Sequence, residues 1–280
     1  MSGRIPIFGD EIPAFTAMNV RPAAVAGAFY PREAASLASQ VGGYLGAARA
    51  DSRSLRPKAI IAPHAGYIYS GPIAASVYAL LGDCRGTVRR VVLAGPAHRV
   101  YVTGAAVPSV SAFDSPLGPV PIDREGVDRL LALPFVEVSD QAHALEHSLE
   151  VHLPFLQSVL GSFALVPIVV GDASPEEMAQ LFDAVWGGDD TLVVVSSDLS
   201  HYLPYEAACT RDRRTVQSIL SLDARIDPDE ACGAMPINGL LTLARRRGMT
   251  AELLDLRNSG DTAGDRDRVV GYAAFAFCER

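Results

Sequence analysis

Residues 58–64 read KAIIAPH, a short apolar run of strand type that ends in proline and histidine. Two later stretches repeat this arrangement, RVVLAGPAH at 90–98 and TLVVVSSDLSH at 191–201. The apolar runs are continuous rather than alternating, which is typical of strands covered by helices on both faces. These stretches predict a three-layer α/β/α fold with a mostly parallel, mixed sheet.

The remaining predicted elements alternate along the chain. Strands are expected at 164–170, 252–256 and 269–277, and helices at 31–45, 71–81, 149–160, 175–186, 205–220 and 236–246. Such alternation implies one α/β/α domain. We place this domain at residues 21–280, after an N-terminal arm of residues 1–20, and interpret the polar stretch 258–268 as a surface hairpin or lid.

Composition excludes several classes of protein. The formal charge of −8 argues against binding to nucleic acid or anionic membranes, because both need clustered Lys and Arg. No apolar stretch is long enough for a membrane span, and no signal peptide is evident. We therefore expect a cytoplasmic protein whose four scattered cysteines are reduced thiols.

Three histidines follow the three apolar runs: His64, His98 and His201. Ligands of open α/β sheets bind beyond the carboxyl ends of the strands. We therefore expect these imidazoles to meet in one pocket. Imidazole binds metals and also exchanges protons near neutral pH, so the pattern suits either kind of chemistry.

A further cluster, HALEHSLEVH, begins at His143. If it is helical, His143, Glu146, His147 and Glu150 share one face. His143, Glu146 and His147 also match the H-x-x-E-H pattern of inverzincin zinc enzymes, so a zinc hydrolase is an alternative function. In the plainer interpretation this segment leads into the helix at 149–160, and His147 and Glu150 line the pocket or support its ligands.

Cys232 lies four residues before Pro236, which begins a predicted helix. A thiol near a helix N-terminus has a lowered pKa and is a ready thiolate. The other three cysteines are interpreted as structural: Cys84, Cys209 and Cys278.

Six motifs, in this order, resemble those of the Memo family over residues 21–277. They are RPA (21–23) with AGAFYP (26–31), PHAGY (63–67) with YSG (69–71), GPAH (95–98), EHSLEVHLPF (146–155), SSDLSHY (196–202), and CG (232–233) with PI (236–237). Bacterial and archaeal members of that family are often called AmmeMemoRadiSam system protein B.

The Memo family is similar in fold to LigB-type class III extradiol dioxygenases, so the resemblance implies a LigB-like fold. It also implies a mononuclear metal site with His64, His98 and Cys232 as ligands. His201 matches the acid/base histidine of the dioxygenases, and Asp198, which lies beside it, is expected to be the second catalytic residue and to orient His201.

The implied cofactor is one transition-metal ion. Extradiol enzymes bind non-haem iron through two histidines and a carboxylate, whereas here a softer thiolate takes the place of the carboxylate. We expect iron or copper rather than zinc, and metal-dependent redox or dioxygenase-like chemistry on a small substrate.

Four residues are expected to contact the substrate: His147, Glu150, Tyr67 and Tyr202. The resemblance also implies a small-molecule or peptide ligand, with a radical-SAM protein and an AMMECR-type protein as partners. The alternative, apart from the zinc hydrolase, is a non-catalytic scaffold on the same fold that binds a peptide or metabolite.

Overall fold

A computed structural model describes residues 19–49 and 55–279 of the chain. The predicted N-terminal arm, residues 1–20, lies outside the described residues except for its last two positions. The predicted domain bounds stay a prediction, whereas the fold class is confirmed: helices pack against a large, mostly parallel mixed sheet.

The strands follow one another along the chain in this order: β1 (Val20–Arg21), β2 (Ala59–Ala62), β3 (Arg90–Pro96), β4 (Ala105–Val107), β5 (Ala112–Phe113), β6 (Val120–Pro121), β7 (Val136–Val138), β8 (Ala164–Val170), β9 (Thr191–Ser196), β10 (His201–Leu203), β11 (Thr250–Asn258) and β12 (Val269–Cys278). The α-helices are α1 (Ala34–Arg49), α2 (Tyr67–Tyr78), α3 (Arg124–Leu131), α4 (Asp140–Ala144), α5 (Leu153–Leu160), α6 (Pro175–Ala184), α7 (Tyr205–Leu220) and α8 (Ala234–Arg246). Short 3-10 helices lie at Ala79–Cys84, Glu150–His152 and Ser259–Asp261.

Among the described residues, nine strands form the large sheet. Its spatial order is β10-β12-β2-β9-β3-β8-β4-β7, and β11 pairs with β12. The central run β2-β9-β3-β8 is parallel, while β12 and β4 join it in the antiparallel sense. The strands β1, β5 and β6 form a separate small sheet. The central parallel run therefore presents neighbouring strand ends to one edge of the sheet.

The continuous apolar runs explain why the sheet is central. Every residue of β2 and β9 is buried, as is every residue of β3 after Arg90. Two groups of helices cover this sheet: α1, α2 and α5 pack together, as do α3, α6 and α8. Buried strands without polar alternation need such cover on both faces.

Two helix interfaces depend on glycines. A Cβ at Gly71 of α2 would lie 2.6 Å from the ring of Tyr44 on α1. A Cβ at Gly239 of α8 would lie 2.2 Å from the Cβ of Met178 on α6. These helix pairs approach more closely than any larger side chain allows. Among the described residues, no helix is long and apolar enough to cross a membrane.

Candidate metal site

Three neighbouring parallel strands deliver polar side chains to the same edge of the sheet. His64, Asp198 and His98 each lie two residues beyond the end of β2, β9 and β3 respectively. These strands are adjacent in the order β2-β9-β3. Because parallel strands end at the same edge, the equal offset brings the three side chains to one place.

Three imidazoles form a cluster at this edge: His64, His98 and His147. One ring nitrogen from each lies within 4.8 Å of those of the other two. The ring centroids of His98 and His147 are 4.7 Å apart and nearly stacked, and each ring lies edge-on to His64. His64 is buried, His147 is half-buried and His98 is exposed, so the cluster opens to solvent on one side.

Hydrogen bonds fix which nitrogen of His64 carries the proton. The hydroxyl of Ser196 donates to the carbonyl oxygen of Ser148 at 2.6 Å. Its oxygen must then accept from Nδ1 of His64, which lies 2.6 Å away. Burial lowers the pKa of His64 well below its usual value, so the ring is neutral. Nε2 of His64 therefore has a free lone pair.

Glu146 fixes His98 in the same way. The carboxylate accepts from Nδ1 of His98 at 2.9 Å and from the backbone N–H of His98 at 2.7 Å. Burial raises the pKa of Glu146, but hydrogen bonds and charge from His98 outweigh it and hold the pKa at about 2. Glu146 is therefore ionised and acts only as an acceptor, which leaves Nε2 of His98 free.

His147 is the third member of the cluster and comes from the loop after α4. Its buried Nδ1 has no hydrogen-bond partner among the described residues, although it lies 3.4 Å from Oε1 of Glu146. Burial lowers the pKa of His147 to about 4, so this ring is also neutral near pH 7. The ring packs against Phe29, with centroids 4.9 Å apart.

Cys232 lies beside this cluster. Its Sγ is 3.3 Å from Nε2 of His64 and accepts from the backbone N–H of Asp198 at 3.3 Å. A Cβ at the next residue, Gly233, would lie 2.5 Å from the carbonyl oxygen of Ser196, so this close approach requires glycine. The loop before α8 can therefore reach the end of β9.

The expected low pKa of the Cys232 thiol is wrong for the metal-free protein. Burial and the neighbouring Asp198 carboxyl raise it to about 12, despite the helix that begins two residues later. Desolvation of the thiolate and the charge of Asp198 together outweigh the helix dipole.

Asp198 does not orient His201. Oδ1 of Asp198 accepts from the backbone N–H of His64 at 2.8 Å, and Oδ2 lies 4.0 Å from Nε2 of His64. Burial raises the pKa of Asp198 to about 7. Among the described residues, no hydrogen bond joins the Asp198 and His201 side chains. His201 begins β10 and is not one of the three histidines of the cluster, and burial lowers its pKa.

The four expected substrate contacts fall into two pairs. The hydroxyl of Tyr67 donates to the carbonyl oxygen of Val151 at 2.6 Å, and this tyrosine is buried. Glu150 is also fully buried and accepts from Nη1 of Arg21 at 2.6 Å, from the hydroxyl of Tyr30, and from two backbone N–H groups. These contacts give Tyr67 and Glu150 a structural role, which differs from the expectation that they contact the substrate.

The other pair, His147 and Tyr202, is less buried than Tyr67 and Glu150. His147 belongs to the cluster, and Tyr202 is 62% exposed with Arg268 over its ring at 5.0 Å. Tyr202 has a φ of 59°, a left-handed conformation that turns its side chain outward beside His201. Tyr202 is therefore free to contact a ligand.

The zinc-hydrolase pattern does not assemble. α4 ends at Ala144, so His143 and His147 do not share one helix face. His143 is buried, and its Nε2 bonds to the carbonyl oxygen of Ala106 at 3.1 Å. His143 is therefore separate from the cluster that contains His147.

The three histidines fit a metal ion. Nδ1 of His64 is held by a serine and Nδ1 of His98 by a carboxylate, which is the usual support for metal-binding imidazoles. His147 and the nearby Cys232 thiol add two further donors. The part that sequence reasoning missed is Glu146, which it considered only within the zinc pattern. The signal was present, because Glu146 immediately precedes His147.

Comparisons with known proteins agree with this architecture. The profile of the family described as Memo-like protein matches residues 21–276. The chain is 39% identical to a MEMO1 family protein of Ignicoccus hospitalis, over 93% of this chain and 99% of that one. It is 36% identical to a MEMO1 family protein of Aquifex aeolicus, over 93% and 100% respectively. The fold is similar to the crystal structure of the uncharacterized protein JW3007 from Escherichia coli K12, with a TM-score of 0.55, 14% identity, and coverage of 78% of this chain and 98% of that one.

Proposed function

The chain belongs to the Memo-like protein family, and on that premise we propose that it is a metal-dependent oxidoreductase with dioxygenase-like chemistry on a small substrate. The observation that carries the proposal is the cluster of His64, His98 and His147 at the sheet edge. Ser196 holds Nδ1 of His64, and Glu146 holds Nδ1 of His98. In both rings Nε2 is left to bind a metal.

In this proposal His64 and His98 bind the metal through Nε2, and Cys232 is a third ligand. A bound iron or copper ion supplies one-electron redox chemistry, which no protein side chain provides by itself at this site. The exposed side of His98 gives a small substrate access to the site.

His201 is proposed as the acid/base residue. Burial lowers its pKa, so the neutral ring can accept a proton from a bound substrate near pH 7. Tyr202, next in the chain, is exposed, and its ring lies 5.7 Å from that of His201 between centroids. Asp198 is not assigned to orient His201; its contacts support His64 instead.

The test is metal analysis of protein purified without oxygen. We expect about one iron or copper ion per chain, with loss of metal in His64→Ala and His98→Ala and weakened binding in Cys232→Ser. His201→Gln is the matched control, because it lies outside the cluster and should keep its metal. Wild-type protein that binds no transition metal would overturn the proposal, and full metal in Cys232→Ser would remove Cys232 from the ligands.

One observation favours the second candidate, a binding protein without turnover. Among the described residues, four of the large exposed apolar side chains lie within four positions of His64, His98, His147 or His201 along the chain: Ile68, Tyr101, Leu145 and Tyr202. In this second proposal these side chains would form an apolar rim around the site, which suits a peptide or metabolite. In that case ligand binding should survive His201→Ala and no product should form.

The family resemblance also suggests partners and a location. We keep the radical-SAM and AMMECR-type partners and the cytoplasmic location as proposals. Co-purification from cells that express the chain at native level tests the partners directly.

A further inference from the structure

Glu146 is buried, with a side chain only 1% exposed, and it holds more than one donor. Oε1 accepts from Nδ1 of His98 and from the backbone N–H of Ser148, each at 2.9 Å. Oε2 accepts from the backbone N–H of His98 at 2.7 Å. Three N–H donors, two from His98 and one from Ser148, therefore fix the position of the carboxylate without any contribution from His147.

That remaining imidazole is His147. Its Nδ1 lies 3.4 Å from Oε1 of Glu146, the same oxygen that holds Nδ1 of His98. The two rings are stacked at 4.7 Å with an interplanar angle of 23°, so both present the same edge to one carboxylate. Nδ1 of His147 is buried and has no other partner in the described part of the chain.

Electrostatics decides the tautomer of His147. Nδ1 of His147 is not aligned for a hydrogen bond with Oε1 of Glu146, but at 3.4 Å a lone pair on Nδ1 is repelled by the carboxylate oxygen, whereas a proton there is attracted. The ionised carboxylate of Glu146 therefore selects the form protonated at Nδ1 in His147 as well as in His98. In both rings the lone pair is left on Nε2.

We infer that Glu146 is a positioning residue that fixes the tautomers of two metal-binding imidazoles at once and thereby makes His147 a metal ligand beside His64 and His98. This inference rests on the proposed metal site and extends it. The corresponding support on the other side, Ser196, holds His64 alone. Glu146 therefore positions two of the metal-binding imidazoles, whereas Ser196 positions one.

The first experiment needs no metal. Nitrogen-15 NMR of histidine-labelled, metal-free protein distinguishes the two tautomers of each ring. We expect the wild type to show the form protonated at Nδ1 for His64, His98 and His147. Glu146→Gln should produce mixed tautomers at both His98 and His147, whereas Ser196→Ala should affect His64 alone. A change confined to His98, or no change in a folded Glu146→Gln protein, would overturn the inference.

The second experiment titrates the metal-free protein with Co²⁺ and follows its visible spectrum. Loss of a support of this kind typically weakens metal binding by about 10–100-fold. We expect a loss in that range for Glu146→Gln and a smaller one for Ser196→Ala, with partial recovery in Glu146→Asp. His147→Ala should change the ligand-field bands, and an unchanged Co²⁺ spectrum would remove His147 from the ligands.

A further variant separates positioning from simple destabilisation. Glu150→Gln alters an equally buried carboxylate four residues away, which contacts Arg21 rather than the cluster. It should lower the melting temperature and leave the histidine tautomers unchanged. If wild-type protein binds no Co²⁺, the proposed function fails, while the metal-free NMR spectra still decide whether Glu146 fixes both rings.

Discussion

The Cys232 thiol lies 3.3 Å from Nε2 of His64, and both groups are neutral in the metal-free protein near pH 7. The pKa of the thiol is about 12, because burial and Asp198 disfavour the thiolate. A metal that binds to sulfur must displace this proton, so binding and proton release are linked. The role of Cys232 is therefore accessible to a measurement that does not depend on knowing the substrate.

We expect the Co²⁺ affinity of the wild type to rise roughly tenfold per pH unit between about pH 7 and 8.5, because one thiol proton is released well below its pKa. Isothermal titration calorimetry at several pH values measures this slope. In Cys232→Ser the slope should fall by one proton. Equal slopes in the two proteins would show that the sulfur does not bind the metal as a thiolate.

At the same scale, sequence reasoning found His64 and His98 because both follow apolar strands directly. It expected His147 in the pocket as a substrate contact rather than as a member of the histidine cluster, because that residue comes from a loop whose path depends on contacts such as those of Glu146 with His98. It also expected Glu150 to contact the substrate, whereas in the structure Glu150 forms a buried ion pair with Arg21. The residue type and its spacing from an apolar run predict which side chains lie at strand ends. The positions of loop residues depend on the side chains that they contact, which the sequence does not reveal.

The helices α6 and α8 meet through a glycine, and this contact can be tested at the level of elements. A Cβ at Gly239 would lie 2.2 Å from the Cβ and 2.9 Å from the backbone carbon of Met178. Because backbone atoms are involved, the helices must move apart. We expect Gly239→Ala to lower the free energy of unfolding by about 1–3 kcal/mol, measured by urea denaturation.

Gly43 provides the matched control for this prediction. It lies inside α1, and nothing lies within 4 Å of the position where its Cβ would be. Gly43→Ala should raise the free energy of unfolding by about 0.5–1 kcal/mol, because alanine loses less backbone entropy in a helix. If both substitutions changed the free energy of unfolding in the same direction, close packing of α6 and α8 would not explain why residue 239 is glycine.

The long elements could be predicted from the sequence and the short ones could not. β8, β9 and α7 have the predicted bounds, because continuous apolar runs and helical spacing are strong signals over six or more residues. Strands such as β5 and β6 have only two residues and are set by their pairing. α5 begins later than predicted because residues 150–152 form a 3-10 helix.

For the whole molecule, two buried histidines outside the cluster affect stability as the pH changes. Burial lowers the pKa of His143 to about 4 and that of His152 to about 3. Between about pH 6.5 and 4 the unfolded chain protonates both residues and the folded chain does not. The folded state is therefore favoured at the higher pH and loses stability as the pH falls through this range.

We expect each of these histidines to contribute a slope of about 1.4 kcal/mol per pH unit in that range. Asp212 acts in the opposite sense, because burial raises its pKa to about 6. Urea denaturation at about pH 6 and about pH 4.5 measures the change in the free energy of unfolding between the two pH values. The difference in this change between wild type and His152→Gln isolates the contribution of one histidine. An identical pH dependence in the two proteins would contradict the lowered pKa of His152.

The equal two-residue offset of His64, Asp198 and His98 beyond their strands has a consequence for how a metal arrives and leaves. These side chains are anchored to the rigid centre of the sheet, so their positions do not depend on the ion. If the proposed metal binds at this site, the protein can therefore lose it and be reloaded without refolding. That separates it from small zinc domains, in which the metal builds the fold. In this chain the fold comes first, so under the proposed function the metal supply would decide how much of the protein is loaded with its ion and not how much of it is folded.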